Sequence, residues 1–176
     1  MRTTRAKILF AVFGALFLLL AGCAAPKLSV SSPVGGVESI QTIALAPNGG
    51  VLADAVGLGL LKFGFRVFDA AQVSSLMVRM NLNEVEVLEP QNLQRLKGQG
   101  IDAVLQVRVV AGYDGRPTSA TVKLVSANSG QLLAGATWQN GSGGASGSPM
   151  DRDARVDIVV AADQIAEGIA KVVPRR

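Results

Sequence analysis

Histidine is absent from all 176 residues, and cysteine occurs once, at position 23. Without an imidazole there is no Ser-His-Asp or Cys-His catalysis, and the commonest zinc ligand is missing. A lone cysteine closes no intrachain disulfide, so the fold relies on its core. Aromatics are scarce: Trp138 and Tyr113 are the only Trp and Tyr, which is little for the convergent aromatic surface expected of a glycan or small-ligand binder. No phosphate-cradling GxxxxGK[ST] or GxGxxG pattern occurs, and Gly144-Ala145-Ser146-Gly147 lacks the glycine spacing of a nucleophile elbow. The acids show no EF-hand spacing. Any two carboxylates can meet in space for glycoside hydrolysis, but nothing singles out a pair. The expectation is a non-enzyme with no catalytic residue, cofactor site or metal site.

What is present begins at the amino terminus. Arg2, Arg5 and Lys7 precede an apolar run from Ile8 to Ala21, the charged and hydrophobic regions of a secretory signal. The run is shorter than the roughly 20 residues of a comfortable membrane span. It ends in Leu20-Ala21-Gly22-Cys23, which resembles the lipobox of bacterial lipoproteins. That resemblance implies cleavage between Gly22 and Cys23, diacylation of the Cys23 sulfur and acylation of the new amine. Acyl chains contribute roughly 0.8 kcal/mol per buried methylene, enough in combination for a lasting anchor. Ala24, rather than Asp, follows the cysteine and resembles the outer-membrane sorting pattern, with the domain facing the periplasm. The lipobox residues and Cys23 are the candidate site, and the membrane is the first partner.

Charge is misleading until the signal is set aside. The full chain carries +4, from 17 bases and 13 acids. Three of those bases and none of the acids lie in residues 1–22, so the remaining 154 residues carry about +1. The basic balance therefore belongs to targeting, and no nucleic-acid partner is expected.

Residues 23–37 read as a flexible tether rich in Pro, Ser and Gly, with a reach of ~20 Å. From residue 38 the pattern is that of one α/β domain to residue 173, followed by a basic tail at 174–176. Ser39 to Ala46 is an apolar strand, and Val51 to Phe63 is a helix closed by Gly64. Gly57 and Gly59 within it point to close packing on a sheet. Phe65 to Phe68 is a strand. Asp69 with Gln72 forms a capping box for a helix carrying Val73, Leu76, Met77 and Met80. Asn81 to Leu88 is ambiguous between strand and connection. Pro90 starts a short helix stopped by Gly98 and Gly100.

Three alternating strands follow. Ile101, Ala103, Leu105, Val107 and Val109 face one way, against Asp102, Gln106 and Arg108. Ala120, Val122 and Leu124, then Leu132, Ala134, Ala136 and Trp138, repeat the pattern across turns at Asp114-Gly115 and Asn128-Ser129-Gly130. Asn140 to Ser148 reads as a mobile Gly/Ser loop, and Asp151 to Val173 as one amphipathic helix. The fold class is α+β: a mixed sheet with an antiparallel three-strand meander, and helices packed on it.

The phrases Thr42-Ile43-Ala44-Leu45-Ala46-Pro47, Gly64-Phe65-Arg66-Val67-Phe68-Asp69, Ile101-Asp102-Ala103-Val104-Leu105 and residues 122–133 resemble one periplasmic domain. It is shared by the curli-secretion-channel lipoproteins (CsgG-like) and the TolB amino-terminal domain, and is related to that of penicillin-binding-protein-activator lipoproteins. The resemblance covers residues 38 to 173. It implies an interaction module for secretion, appendage assembly or cell-wall synthesis, with an envelope protein partner, or a homo-oligomeric ring subunit. The chain lacks the amphipathic hairpins of a curli-type pore, whose strands need ~9–11 alternating residues each.

Overall fold

The computed structural model describes residues 24–34, 36–83, 86–143 and 145–176. The strands are β1 (Lys27–Ser31), β2 (Thr42–Leu45), β3 (Arg66–Phe68), β4 (Ala103–Ala111), β5 (Pro117–Ser126) and β6 (Leu132–Gln139). The helices are α1 (Gly50–Lys62), α2 (Ala70–Arg79), α3 (Pro90–Gly98), α4 (Pro149–Ala154) and α5 (Ile158–Val172). The strands form one six-stranded sheet in the order β1-β6-β5-β4-β2-β3. β2 pairs in parallel with β3 and β4, while β4–β5, β5–β6 and β6–β1 are antiparallel. The α+β class with its antiparallel meander is the architecture expected from the sequence.

Strand composition follows coverage. β2 is buried at all four residues because helices lie on both sides of it, the situation that selects continuous apolar runs. On one face α1 and α5 pack over Leu45, Leu105, Val122, Leu124 and Trp138. On the other, α2 and α3 cover Ala44, Val104 and Val125 with Val73, Met77, Leu93 and Leu96. This second layer ends there, so the outward residues of the β4–β5–β6–β1 half, including Thr121, Lys123, Thr137 and Ser29, are exposed. Exposure of one face gives these strands their clean alternation.

The local chemistry read from the sequence is visible atom by atom. Asp69 accepts from the Gln72 N–H at 2.7 Å while the Gln72 side chain accepts from the Asp69 N–H at 3.0 Å. The chain leaves α1 through Gly64 at φ +82°, a left-handed conformation that favours glycine. Gly57 packs as expected on the sheet: a Cβ there would lie 2.7 Å from Leu45 Cδ1. Gly59 instead faces α5, where a Cβ would lie 2.7 Å from that of Ala166.

Several expectations are corrected. Residues 23–37 are not a tether throughout: Lys27–Ser31 is the edge strand β1, paired with residues 135–139 of β6, with Leu28 and Val30 packed on the core. The single helix expected over Asp151–Val173 is two. α4 ends at Ala154, and Asp157 caps α5 by accepting from the Val159 and Val160 N–H groups, both at 2.9 Å. The basic tail, though exposed, is hydrogen-bonded to the domain. The Ile40 N–H donates to Pro174 O at 3.0 Å, the Arg176 N–H to Ile40 O at 3.2 Å, and the Arg175 guanidinium to Phe63 O at 2.9 Å. Asp102, assigned to the outward face of its strand, is buried at 6% exposure, and Val109, assigned to the core face, is 40% exposed. In the ambiguous stretch, residues 84 and 85 lie outside the described residues. The flanking 81–83 and 86–89 hold no strand, and Val87 is buried.

Candidate functional site

Leu20, Ala21, Gly22 and Cys23 lie outside the described residues, as does the whole of 1–22. What the structure describes is the residue joined to Cys23. The Ala24 N–H donates to Ser142 O, and the Ser142 N–H donates to Ala24 O, both at 3.0 Å. Neighbouring Cα atoms are ~3.8 Å apart across a peptide bond. Position 23 is therefore one residue from a point tied to the folded domain, with no slack between.

The segment that receives Ala24 is the loop expected to be mobile, and its backbone is instead held closely. Asn140 acts as a pin. Its Nδ2 donates to Pro117 O at 2.7 Å and Val156 O at 3.0 Å, and its Oδ1 accepts from the Gly141 and Val156 N–H groups at 2.8 and 2.9 Å. A Cβ on Gly141 would collide with the backbone oxygens of Ala154 and Ala24, and one on Gly143 would lie 2.7 Å from Met150 O. The glycines here serve close backbone approach rather than freedom.

α4 follows. Ser148 caps it by accepting from the Asp151 N–H at 3.2 Å, and Asp151, 3% exposed, accepts from the Gly147 N–H at 3.0 Å and Arg155 Nη2 at 2.9 Å. The Gly147 N–H is the chief cause that holds the Asp151 carboxyl below its ordinary pKa, ahead of the opposing effect of burial, and Arg155 adds to it. The Arg155 guanidinium also lies 3.6 Å from Asp114 Oδ1 and 5.4 Å from the centre of the Tyr113 ring. Arg116 closes the group by donating to the carbonyls of Arg152 and Arg155 at 2.9 and 3.0 Å. The β4–β5 hairpin, the post-β6 loop and α4 thus form one charged and hydrogen-bonded cluster at the Ala24 end of the sheet. Around it Val110, Tyr113 and Met150 are exposed at 62%, 60% and 58%.

The sequence reading missed this cluster. Its one local signal was the four-residue spacing of Asp151 and Arg155, the helical ion-pair interval; Asp114 and Tyr113 join only through tertiary structure. The only Trp and Tyr do not converge. Trp138 is fully buried, as expected of a core residue, with its Nε1 donating to Gln164 Oε1 at 2.7 Å. Tyr113 sits at the hairpin tip.

Two other places stand out on the fold. An apolar groove of about 500 Å3 runs between α1 and α2, lined by Leu45, Gly57, Leu58, Leu61, Val67 and Ala71 among others. Its acidic lining residues are Asp54, exposed and in no ion pair among the described residues, and Asp69, engaged in the capping box of α2; no basic residue lines the groove with them. Asp102 is the most perturbed carboxylate. Burial raises its pKa, but the Lys97 ammonium at 2.7 Å and the N–H groups of Gln41 and Thr42 at 2.9 and 3.0 Å outweigh burial and lower it from 3.8 to about 2. These partners are structural: they join β2, α3 and β4. Among the described residues no group of three or more Cys, Asp or Glu is placed to hold a metal, and no helix is long and apolar enough to cross a membrane.

No known family profile matches the chain, and no curated protein matches its sequence. Solved structures do resemble it. A PelC dodecamer from Paraburkholderia phytofirmans superimposes with a TM-score of 0.50 at 15% identity, over 86% of this chain and 99% of that one. Lipoprotein GNA1162 from Neisseria meningitidis gives a TM-score of 0.47 at 24% identity, over 72% of this chain and 97% of that one. At these identities the likeness to PelC is one of fold: the six-stranded mixed sheet with its helices is an arrangement found in solved proteins.

Proposed function

We propose that this chain is an outer-membrane lipoprotein, held by acyl groups on Cys23 after removal of residues 1–22. Its periplasmic α+β domain acts as a non-enzymatic interaction module for an envelope complex. The observation that carries the reading is Leu20-Ala21-Gly22-Cys23 placed directly after a charged and then apolar signal segment. The pairing of Ala24 with Ser142 supports it, because it joins the domain directly to the acylated residue. Anchoring confines the domain to a thin layer and so raises its effective concentration towards a partner in that layer. The finer likeness to the curli-secretion, TolB and penicillin-binding-protein-activator domains is part of this proposal and rests on the phrases at 42–47, 64–69, 101–105 and 122–133.

A homo-oligomeric form is the second reading. It is favoured by the apolar groove beside α1, where Leu58 and Leu61 are 65% and 49% exposed, and by the fold shared with a protein crystallised as a dodecamer.

Metabolic labelling with a palmitate analogue tests the first reading. Cells making the native chain are expected to yield a labelled band in the outer-membrane fraction that disappears in Cys23→Ser. A band that stays unlabelled in the native chain would overturn the anchor. Light scattering on the Cys23→Ser protein tests the second: a mass several times that of one chain supports the ring, and a single-chain mass rejects it.

A further inference from the structure

The end of the domain nearest Ala24 carries an exposed apolar fringe. Ala24 is hydrogen-bonded to Ser142, and the next residue, Gly143, has Met150 Cγ 3.1 Å from where a Cβ would stand. Met150 is thus a near neighbour of the attachment point and is 58% exposed. The Tyr113 ring lies 3.8 Å from the corresponding position on Gly147, is 60% exposed, and has the Arg155 guanidinium 5.4 Å from its centre. Val110, 62% exposed, belongs to a cross-strand row that runs through Ser119 and Gln139 to Lys27, three residues after Ala24. Lys27 is exposed and makes no ion pair among the described residues. A thioether, a phenol, an aliphatic side chain and a free ammonium therefore lie at the end of the sheet that carries Ala24. Tyrosine of this kind places its ring among lipid tails and its hydroxyl among headgroups, and a lysine stem reaches outward to phosphates.

We infer that Val110, Tyr113 and Met150 rest in the headgroup–acyl boundary of the bilayer that holds Cys23, so that the domain lies on the membrane in one fixed orientation instead of swinging from it. The inference rests on the lipoprotein reading above and goes beyond it. Acylation alone requires no contact between domain and lipid. What favours contact is the short span between Cys23 and a hydrogen-bonded residue: neighbouring Cα atoms are ~3.8 Å apart, so the anchor gives the domain little height above the lipid. The sheet then stands with its β5–β6 turn, at Asn128 and Ser129, pointing away from the lipid, since that turn lies at the opposite end of β5 and β6 from Gln139.

The test uses full-length chain purified in its acylated form and returned to vesicles of phosphatidylethanolamine and phosphatidylglycerol. A nitroxide is attached at Met150→Cys in one sample and at Ser129→Cys in another, Cys23 being blocked by its acyl group. Its collisions with oxygen, which concentrates in lipid, and with a water-soluble nickel chelate are read by electron paramagnetic resonance. The expected result is loss of nickel collisions and a gain in oxygen collisions at residue 150, with bulk-water values at residue 129. Three results overturn the inference. Equal water accessibility at the two sites means a domain held clear of lipid. Loss of both nickel and oxygen collisions at residue 150 means that protein, such as a second copy, covers the patch. In either case the mass of the purified chain still shows its acyl groups and the anchor reading stands. Absence of those acyl groups from the native chain removes both.

Discussion

Asp102 shows how one side chain can decide the acid tolerance of a fold. Its Oδ2 takes the two N–H groups at the start of β2 while its Oδ1 takes the Lys97 ammonium, and Arg176 Nη2 stands 3.6 Å from the same oxygen. A folded pKa of about 2 against an ordinary 3.8 means that the native state prefers the carboxylate. That preference stabilises the fold fully above pH 3.8 and is lost as the pH falls through about 2. The difference corresponds to about 2 kcal/mol. Asp102→Asn is expected to lower stability at pH 7 by about that amount and to flatten the acid limb of a denaturation series recorded between neutral pH and pH 2. The residue is invisible as a lock in the sequence, where Asp102 reads as one polar member of an alternating strand. Its role depends on α3 ending beside it and on the docked tail, both tertiary events.

The elements were legible where their signals are local. Asp69 and Gln72 reveal a helix start because both partners lie within one turn, and the strands from Ala103 to Gln139 show themselves because one half-covered sheet face imposes alternation. The division of the last helix was also written locally. Asp157 precedes the β-branched Ile158, Val159 and Val160, a poor helix interior but a good start behind an Asp cap; the longer apolar stripe obscured it. β1 escaped notice because its partner, β6, lies about a hundred residues away, although Leu28 and Val30 alternate with Lys27, Ser29 and Ser31.

Gly59 belongs to this scale. In isolation a glycine within a helix costs roughly 1 kcal/mol relative to alanine, so Gly59→Ala should help α1. The 2.7 Å approach to Ala166 reverses the sign, because two helix backbones would have to separate. Gly59→Ala is expected to lower the unfolding free energy by about 1–3 kcal/mol. Gly98→Ala at the end of α3, where a Cβ meets nothing within 4 Å, should raise it by a few tenths up to about 1 kcal/mol. Urea midpoints of the two variants, moving in opposite directions, check the pair.

Across the whole molecule, segments distant in sequence close the structure. Residues 27–31 complete one side of the sheet, while residues 174–176 lie beside Ile40 and reach back to α1 at Phe63. Deleting residues 174–176 removes the bonds to Ile40 and Phe63 and the distant Arg176–Asp102 pairing. It is expected to cost about 1–3 kcal/mol and to speed hydrogen exchange at Ile40. Neither closure could be read from composition. Three residues ending in Pro-Arg-Arg look like a solvated tail, and the carbonyls that hold them are contributed by positions more than a hundred residues away.

The pairing of β1 with β6 has a mechanical consequence. A pull on the chain ahead of Ala24 is directed along β1, whose inter-strand hydrogen bonds run across the direction of that pull. The five residue pairs from Lys27–Gln139 to Ser31–Gly135 are then loaded together, in shear, instead of opening one after another like a zip. Such a pull is borne by the strand as a unit and spread into the central sheet, so that residues 27–31 work as a strap.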